Sequence, residues 1–337
     1  MINTSIGLVG VAKQADKSTA ATTPTFKHGL TGGGLIKPER SVEQKNIACG
    51  LRANTANGAY VSEVNIAVDY ETVAYADVLG LYLYAALGAV ATTAAGKSGY
   101  YTHTIKLGNS IPYLTFWGQV GDTAQSTVFK ATGCKMDTLS FSFEGNAPLD
   151  IGVTAAGVDA DLFGAWSDSA EPSCFDGYFI PTGGKFLMAT GSQTPAACSV
   201  SKGSLDLSNN LSTHFSAGSV TPDELCEGKL TTSGSVTVMP DDWALIRTLL
   251  TGSAMGTEVT SQIVYGSLEW TFTHSQDENC QLVLAVKNIP FTCDTPEVDP
   301  EGNYAEIDFS FDNVGIASKT DSPVVATLTN KVTSYAA

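Results

Sequence analysis

The stretch GSVTVMPDDWALIRTLLTG, residues 234–252, decides the fold class of this chain. Its beginning alternates small polar and apolar residues as a strand does, and residues 243–251 space leucine and isoleucine along one face of a helix. Asp241 or Asp242 is placed to cap that helix, and Gly252 is placed to end it. Such a unit predicts a mainly β fold in which a helix packs across a sheet.

A second unit of the same kind, SEVNIAVDYETVAYADVLGLYLYAALG, occupies residues 62–88. It predicts a strand, a helix from about Thr72 to Leu87, and a stop at Gly88. Similar pieces surround both units in the same order; the strand YYTHTIKLG after the first is matched with GSLEWTFTHS after the second.

This repeated order predicts an internal duplication of one module. The first module is assigned to residues 1–160 and includes an N-terminal arm, and the second is assigned to residues 161–337 and includes a C-terminal extension. In this alignment, His103 and His274 hold related strand positions, which favours a structural role for both.

The composition excludes several classes of partner. The chain has 337 residues, of which 43% are hydrophobic and 15% charged, and its net charge is −16. Such a surface repels nucleic acid and anionic membranes. The most apolar stretch, residues 78–90, is too short to span a bilayer, and the N-terminus lacks the features of a signal peptide.

No motif predicts chemistry. The seven cysteines form no C-x-x-C pair and are expected to be small, mostly buried apolar residues in a reducing cytosol. The four histidines lie far apart, and AAGKSG at residues 94–99 lacks the first glycine of a phosphate-binding loop. We therefore expect no catalytic, cofactor-binding or metal-binding residues, and no enzymatic activity.

Taken in order, several segments resemble the major tail tube proteins of long, non-contractile-tailed bacteriophages, the siphophages. GLVGVAKQADKSTAATTPTFKH resembles the first strand and arm of that family, and the unit at residues 62–88 resembles its strand–helix core. FKATGCKMDTLSFSFEGNAPLDIGVTAAG resembles its Gly-Cys strand pair, and GKLTTSGSVTVMPDDWALIRTLLTG resembles the matching piece of a second copy. Glu63 departs from the family pattern, in which glycine is commoner at that position.

The resemblance implies a structural virion protein of the phage tail, assembled in the host cytoplasm. It implies two tandem β-sandwich or curved-sheet modules whose strands join those of neighbouring chains into a ring-shaped inner β-barrel. Stacked rings would form the tube that conducts genomic DNA without specific binding, in contact with tape measure and tail-end proteins. Because single-module relatives form six-membered rings, two modules per chain imply a trimeric ring with pseudo-sixfold symmetry, and a hexamer is the alternative.

Other functions remain open at the level of the sequence. Another β-rich virion component, such as a tail-end or capsid decoration protein, would use similar modules. The missing signal sequence, the odd number of cysteines and the helical units count against a β-sandwich adhesin or carbohydrate-binding module. No motif favours a hydrolase on a β scaffold.

Strand alternation predicts which side chains would face the DNA. Apolar residues such as Ile66, Phe141 and Phe309 are assigned to the core, and the opposite face then carries carboxylates and small polar groups without lysine or arginine. The predicted lumen-facing residues are Glu63, Asn65, Asp69, Ser140, Ser142, Glu144, Asp150, Ser235, Thr237, Glu306, Asp308, Ser310 and Asp312.

Overall fold

A computed structural model describes residues 7–46, 53, 56–121, 127–164, 172–191, 193–294 and 305–336. The described part is mainly β, as expected, and every strand pairing in it is antiparallel. In the first half of the chain the elements are β1 Gly7–Lys13, β2 Phe26–His28, β3 Gly32–Gln44, β4 Ala59–Val73, α1 Leu79–Leu87, β5 Gly88–Ala94, β6 Tyr101–Leu107, β7 Leu114–Val120, β8 Thr127–Glu144, β9 Asp150–Gly157 and β10 Asp159–Gly164.

The second half has a similar succession of elements. No helix among the described residues is long and apolar enough to cross a membrane. Its elements are β11 Phe179–Thr190, β12 Ala196–Ala197, β13 Ser199–Ser208, β14 Ser212–His214, β15 Glu224–Cys226, β16 Thr231–Met239, α2 Ala244–Thr251, β17 Tyr265–His274, β18 Gln281–Pro290, β19 Thr292–Cys293, β20 Ile307–Phe311 and β21 Val324–Asn330.

Eight strands form one continuous hydrogen-bonded run, which we call the long sheet. Its order is β3-β4-β9-β8-β13-β16-β20-β19. The first four strands come from the first half of the chain and the last four from the second half. In both groups the strands lie side by side in the order first, second, fourth and third along the chain. The groups join where β8 pairs with β13, from Thr138↔Ser208 to Glu144↔Lys202.

The remaining strands show a second repeated order on the other side of the core. In the first half the order is β1-β7-β8-β10, and in the second half it is β11-β17-β18-β21. The long strand β8 takes part in both of its sheets, and β18 and β19 are separated by Phe291 alone. Among the described residues of the second half, no pair of strands directly follows α2 as the hairpin β5–β6 follows α1, and β6 pairs with β21.

One apolar core serves both halves. It is a single cluster of buried side chains drawn from the long sheet, both helices and the opposing strands. Phe143 of β8 illustrates the sharing, because its ring contacts Phe186, Trp270 and Phe272 of the second half at centroid distances of 5.2–5.3 Å. Edge-on and tilted aromatic contacts of this kind add to the burial energy of the rings.

Both helices end at the predicted glycines. Gly88 and Gly252 adopt left-handed conformations with φ of 92° and 77°, and each donates its N–H to a carbonyl of the last helical turn. The N-cap position of α2 is Trp243, which makes no side-chain cap hydrogen bond, but Asp242 just before it accepts the N–H of Ala244 at 2.8 Å. The predicted start of α1 at Thr72 is wrong, because β4 continues through Val73 as the partner of β9.

Candidate functional site

The long sheet has one buried face and one open face. Along β4, Ile66, Val68 and Tyr70 are buried, whereas Asp69, between the last two, and Glu63, nearer the start of the strand, are exposed. The same alternation continues across β9, β8, β13 and β20. The open face is therefore a continuous polar surface that crosses both halves of the chain.

Cross-strand register brings the predicted residues together on this open face. One row reads Asp150, Ser142, Ser204, Ser235 and Ser310 across five neighbouring strands, since residues that pair directly share a face. Within it the Ser204 and Ser235 hydroxyls lie 3.0 Å apart. The other predicted residues within strands share the open face by register or strand parity, and Glu306 and Asp312 flank β20 and are exposed. Whether this face borders a lumen stays a prediction.

Thr237 shares the open face but is buried. Its hydroxyl donates a hydrogen bond to Asp308, its partner in register on β20. The pair is therefore satisfied internally, and Thr237 offers little surface to anything that passes over the sheet.

Five charged residues of the open face were not predicted from the sequence. Glu71 continues the β4 series, Asp206 continues the β13 series, and Glu39 of β3 pairs in register with Asn65. The expectation of a face without lysine is wrong, because Lys37 and Lys202 also lie there. Lys37 Nζ is 3.0 Å from Asp69 Oδ2, and Lys202 pairs in register with Glu144. The alternation of SKGSLDLS, with buried Leu205 and Leu207, was the signal that could have placed Lys202 and Asp206.

The carboxylates influence one another. Partial burial, together with the negative charge of Glu71, raises the pKa of Asp150 above its ordinary value. Partial burial also raises the pKa of Asp206. Lys37 and Lys202 each lie beside a carboxylate, Asp69 and Glu144, respectively. The described residues of this face therefore present mainly negative charge and hydroxyl groups.

A second polar cluster lies in a cavity of about 360 Å³ near the C-terminal segment. Asp277 accepts a hydrogen bond from Tyr100 at 2.6 Å and forms an ion pair with Lys331 at 2.9 Å. His274 Nδ1 accepts backbone N–H groups of Gln276 and Asp277, so its acceptor position is occupied. These contacts tie the β17–β18 turn to the C-terminal segment, which is a structural role.

Of the cysteines and histidines, His274 and Cys280 line one cavity. Within the described ranges, no group of three or more His, Cys, Asp or Glu side chains is placed to hold a metal ion. Cys134 and Cys280 are buried as expected, but the expectation is wrong for Cys174 and Cys226, which are exposed. Cys49 lies outside the described residues.

The expected equivalence of the two strand histidines is not what the strand order indicates. His103 lies within β6, and His274 ends β17. The strand that corresponds to β17 in sheet order is β7, so the matched segments YYTHTIKLG and GSLEWTFTHS occupy different places.

The model of a protein family described as phage tail tube protein matches residues 4–315 of the chain. The match therefore covers the open face, both helices and nearly all of both repeated strand orders. No curated protein matches the chain.

Proposed function

Since the chain belongs to the phage tail tube protein family, we propose that it polymerises as stacked rings into a siphophage tail tube that conducts genomic DNA. The family makes it a structural component of the virion that assembles into a tube. The rings, the number of chains in each ring, the path of the DNA and assembly in the host cytoplasm are parts of the proposal. Tape measure and tail-end proteins are the expected partners.

The observation that supports rings is the pairing of β8 with β13. This pairing joins two four-strand groups of the same order, β3-β4-β9-β8 and β13-β16-β20-β19. We interpret the two groups as two copies of one module, residues 1–160 and 161–337. The junction between them is then an example, within one chain, of how one module binds the next.

The same junction can be repeated between chains. The strand equivalent to β8 in the second module is β19, and the strand equivalent to β13 in the first module is β3. These two are the outermost strands of the long sheet, and each has a partner on one side only among the described residues. Pairing β19 of one chain with β3 of the next is a head-to-tail contact, which closes into a ring when the rotation per chain allows it.

The outer edge of β3 carries Lys37, Pro38, Glu39 and Arg40. Charges and proline on an edge strand discourage uncontrolled pairing. A ring that uses this edge therefore needs a specific partner strand, and the repeat supplies one in β19.

Six modules per ring correspond to three chains. The open face of the long sheet would line the lumen, where its carboxylates and hydroxyls repel phosphate or leave it mobile. DNA then passes without a site that retains it.

Electron cryo-microscopy of polymers grown from the purified chain tests the proposal. We expect stacked rings of three chains with pseudo-sixfold walls, in which Glu63 and Asp308 face the lumen. Rings of six chains would contradict the trimeric ring, and placement of these two residues on the outer surface would contradict the lumen assignment.

A further inference from the structure

The hairpin β5–β6 links the two halves of the chain. It follows α1, and β6 pairs with β21 from Val325↔Lys106 to Asn330↔Tyr101. Side chains reinforce the pairing, because the Thr102 and Thr329 hydroxyls lie 3.2 Å apart. The segment after the helix of the first module thus covers the last strand of the second module.

The strand β10 holds the place in the first module that β21 holds in the second. Along the chain, β10 follows β9 and β21 follows β20. The strand β10 pairs with β8, and β21 pairs with β18. The edge that β6 covers on β21 is open on β10 among the described residues. That edge ends in two exposed apolar residues, Leu162 and Phe163, and Phe163 is 78% exposed.

The geometry of Phe163 holds its ring outward. Its φ of 60° is rare for a bulky residue, and a register shift lies between Asp161 and Gly164. The ring contacts Phe129 edge-on at a centroid distance of 5.6 Å. An exposed aromatic ring on a strained strand end is a common feature of contact sites.

The counterpart of the hairpin in the second module is the segment after α2, residues 253–264, which we call the apolar loop. Its large side chains point to solvent: Met255 is 82% exposed, Val259 79% and Ile263 68%. The loop is anchored to the helix, because the N–H of Thr260 donates to the Leu250 carbonyl at 2.8 Å. Several large apolar side chains exposed within one short loop point to a protein contact.

We propose that the apolar loop of one chain packs on Leu162 and Phe163 of the next chain in the ring. The template is the contact within one chain between the hairpin of the first module and β21 of the second. The β8–β13 junction has the same direction, because it also joins the first module to the second. Between chains, the second module of one chain would contact the first module of the next in the same way. The partner is a second copy of this chain. The inference rests on the proposed ring.

Photo-cross-linking in assembled tubes tests this contact. A benzoylphenylalanine replaces Phe163, tubes are grown from a mixture of isotopically heavy and light chains, and the cross-linked peptides are identified by mass spectrometry. We expect heavy–light cross-links to residues 253–264. The matched control carries the same group at Phe175, which is exposed but lies off β10, and should give no such product.

The outcomes separate the inference from the proposed function. Tubes whose cross-links from position 163 go elsewhere, or stay within one chain, overturn the contact and leave the tube intact. Failure of the unmodified chain to form rings or tubes overturns the proposed function and this inference together.

Substitutions give an independent measure of the same contact. Phe163→Ser and Ile263→Ser should each raise the concentration needed for assembly by about tenfold, because a large apolar side chain loses its burial. Ile316→Ser, at another exposed apolar position, should leave that concentration unchanged. Equal effects of all three substitutions would contradict the proposed contact.

Discussion

His28 is fully buried and belongs to a chain of hydrogen bonds. Its Nδ1 donates to the Gly29 carbonyl at 2.8 Å, so its Nε2 accepts from the Tyr82 hydroxyl at 2.6 Å. The Tyr82 oxygen lies 2.6 Å from the Tyr70 hydroxyl, which completes the chain. This network ties β2 and β4 to α1, and the burial of the imidazole favours its neutral form.

Burial lowers the pKa of His28 to about 4 from an ordinary value of 6.5. The unfolded chain therefore binds a proton that the folded chain excludes, and folding stability is complete above pH 6.5 and falls as the pH drops towards 4. Between about pH 7 and about pH 5 we expect a loss of about 2 kcal/mol in the free energy of unfolding.

Urea unfolding of the unassembled chain at the two pH values measures this loss. His28→Gln keeps a polar side chain and removes the titration, so its stability should change less over the same interval. Burial also lowers the pKa values of His103 and His274. The stability of the variant should therefore still fall as the pH drops, but by less than that of the unmodified chain. An unchanged slope in the variant would contradict the assignment to His28.

Charge on the open face is the second prediction at the scale of residues. Replacing Glu63, Glu144, Glu306 and Asp308 by lysine should leave tubes assembled and slow DNA ejection at low salt, because the phosphates would then be held. Ejection is followed with a dye that fluoresces when it binds DNA released from the virions. The same number of lysines at Asp176, Asp241, Glu278 and Asp321, which are exposed off this face, is the control and should not slow ejection.

Normal ejection from the first variant would contradict the lumen assignment. Slow ejection from both variants would mean that the total charge of the virion matters, rather than the charge of this face.

At the scale of elements, the two glycine stops offer a matched comparison. A Cβ at Gly88 would lie 2.4 Å from the Ser110 carbonyl oxygen, whereas a Cβ at Gly252 has no neighbour closer than 3.8 Å. Both positions have positive φ, so alanine costs about 1 kcal/mol at either one. Gly88→Ala should cost clearly more because the backbone must also move.

Thermal or urea unfolding of the two variants checks this order. Equal destabilisation would mean that the surroundings of Gly88 yield easily and that conformation alone sets the cost.

Local patterns predicted much of the fold. The features that they missed depend on pairing between distant segments of the chain. Alternation located the buried and open faces of β4, β8 and β20, and the glycines located both helix ends. The start of α1 was misplaced because Thr72 and Val73 pair with β9, which local propensity does not register. Lys37 was missed because its position depends on the register of β3 with β4, and a bulge between Gly33 and Leu35 shifts that register.

At the scale of the whole molecule, the proposed modules are not independent. The neighbours of the Phe143 ring belong to the second half, and β21 is bound between β18 of the second half and β6 of the first. Residues 1–160 or 161–337 expressed alone should therefore lack a cooperative unfolding transition, because each would expose a large part of the shared core.

Circular dichroism during heating measures this cooperativity, with the full chain as the reference. A sharp transition in either half alone would show that each module completes its own core.

Among the described residues, the β5–β6 hairpin occurs once, whereas the four-strand groups of the long sheet occur twice. In a ring of three chains, the wall seen from inside would repeat every sixth of a turn, but a surface that carries the hairpin would repeat only every third. An antibody or a decorating protein that recognises the hairpin would therefore saturate at three copies per ring. The number of bound molecules would thus give the number of chains in a ring, whereas the repeat seen from inside would give the number of modules.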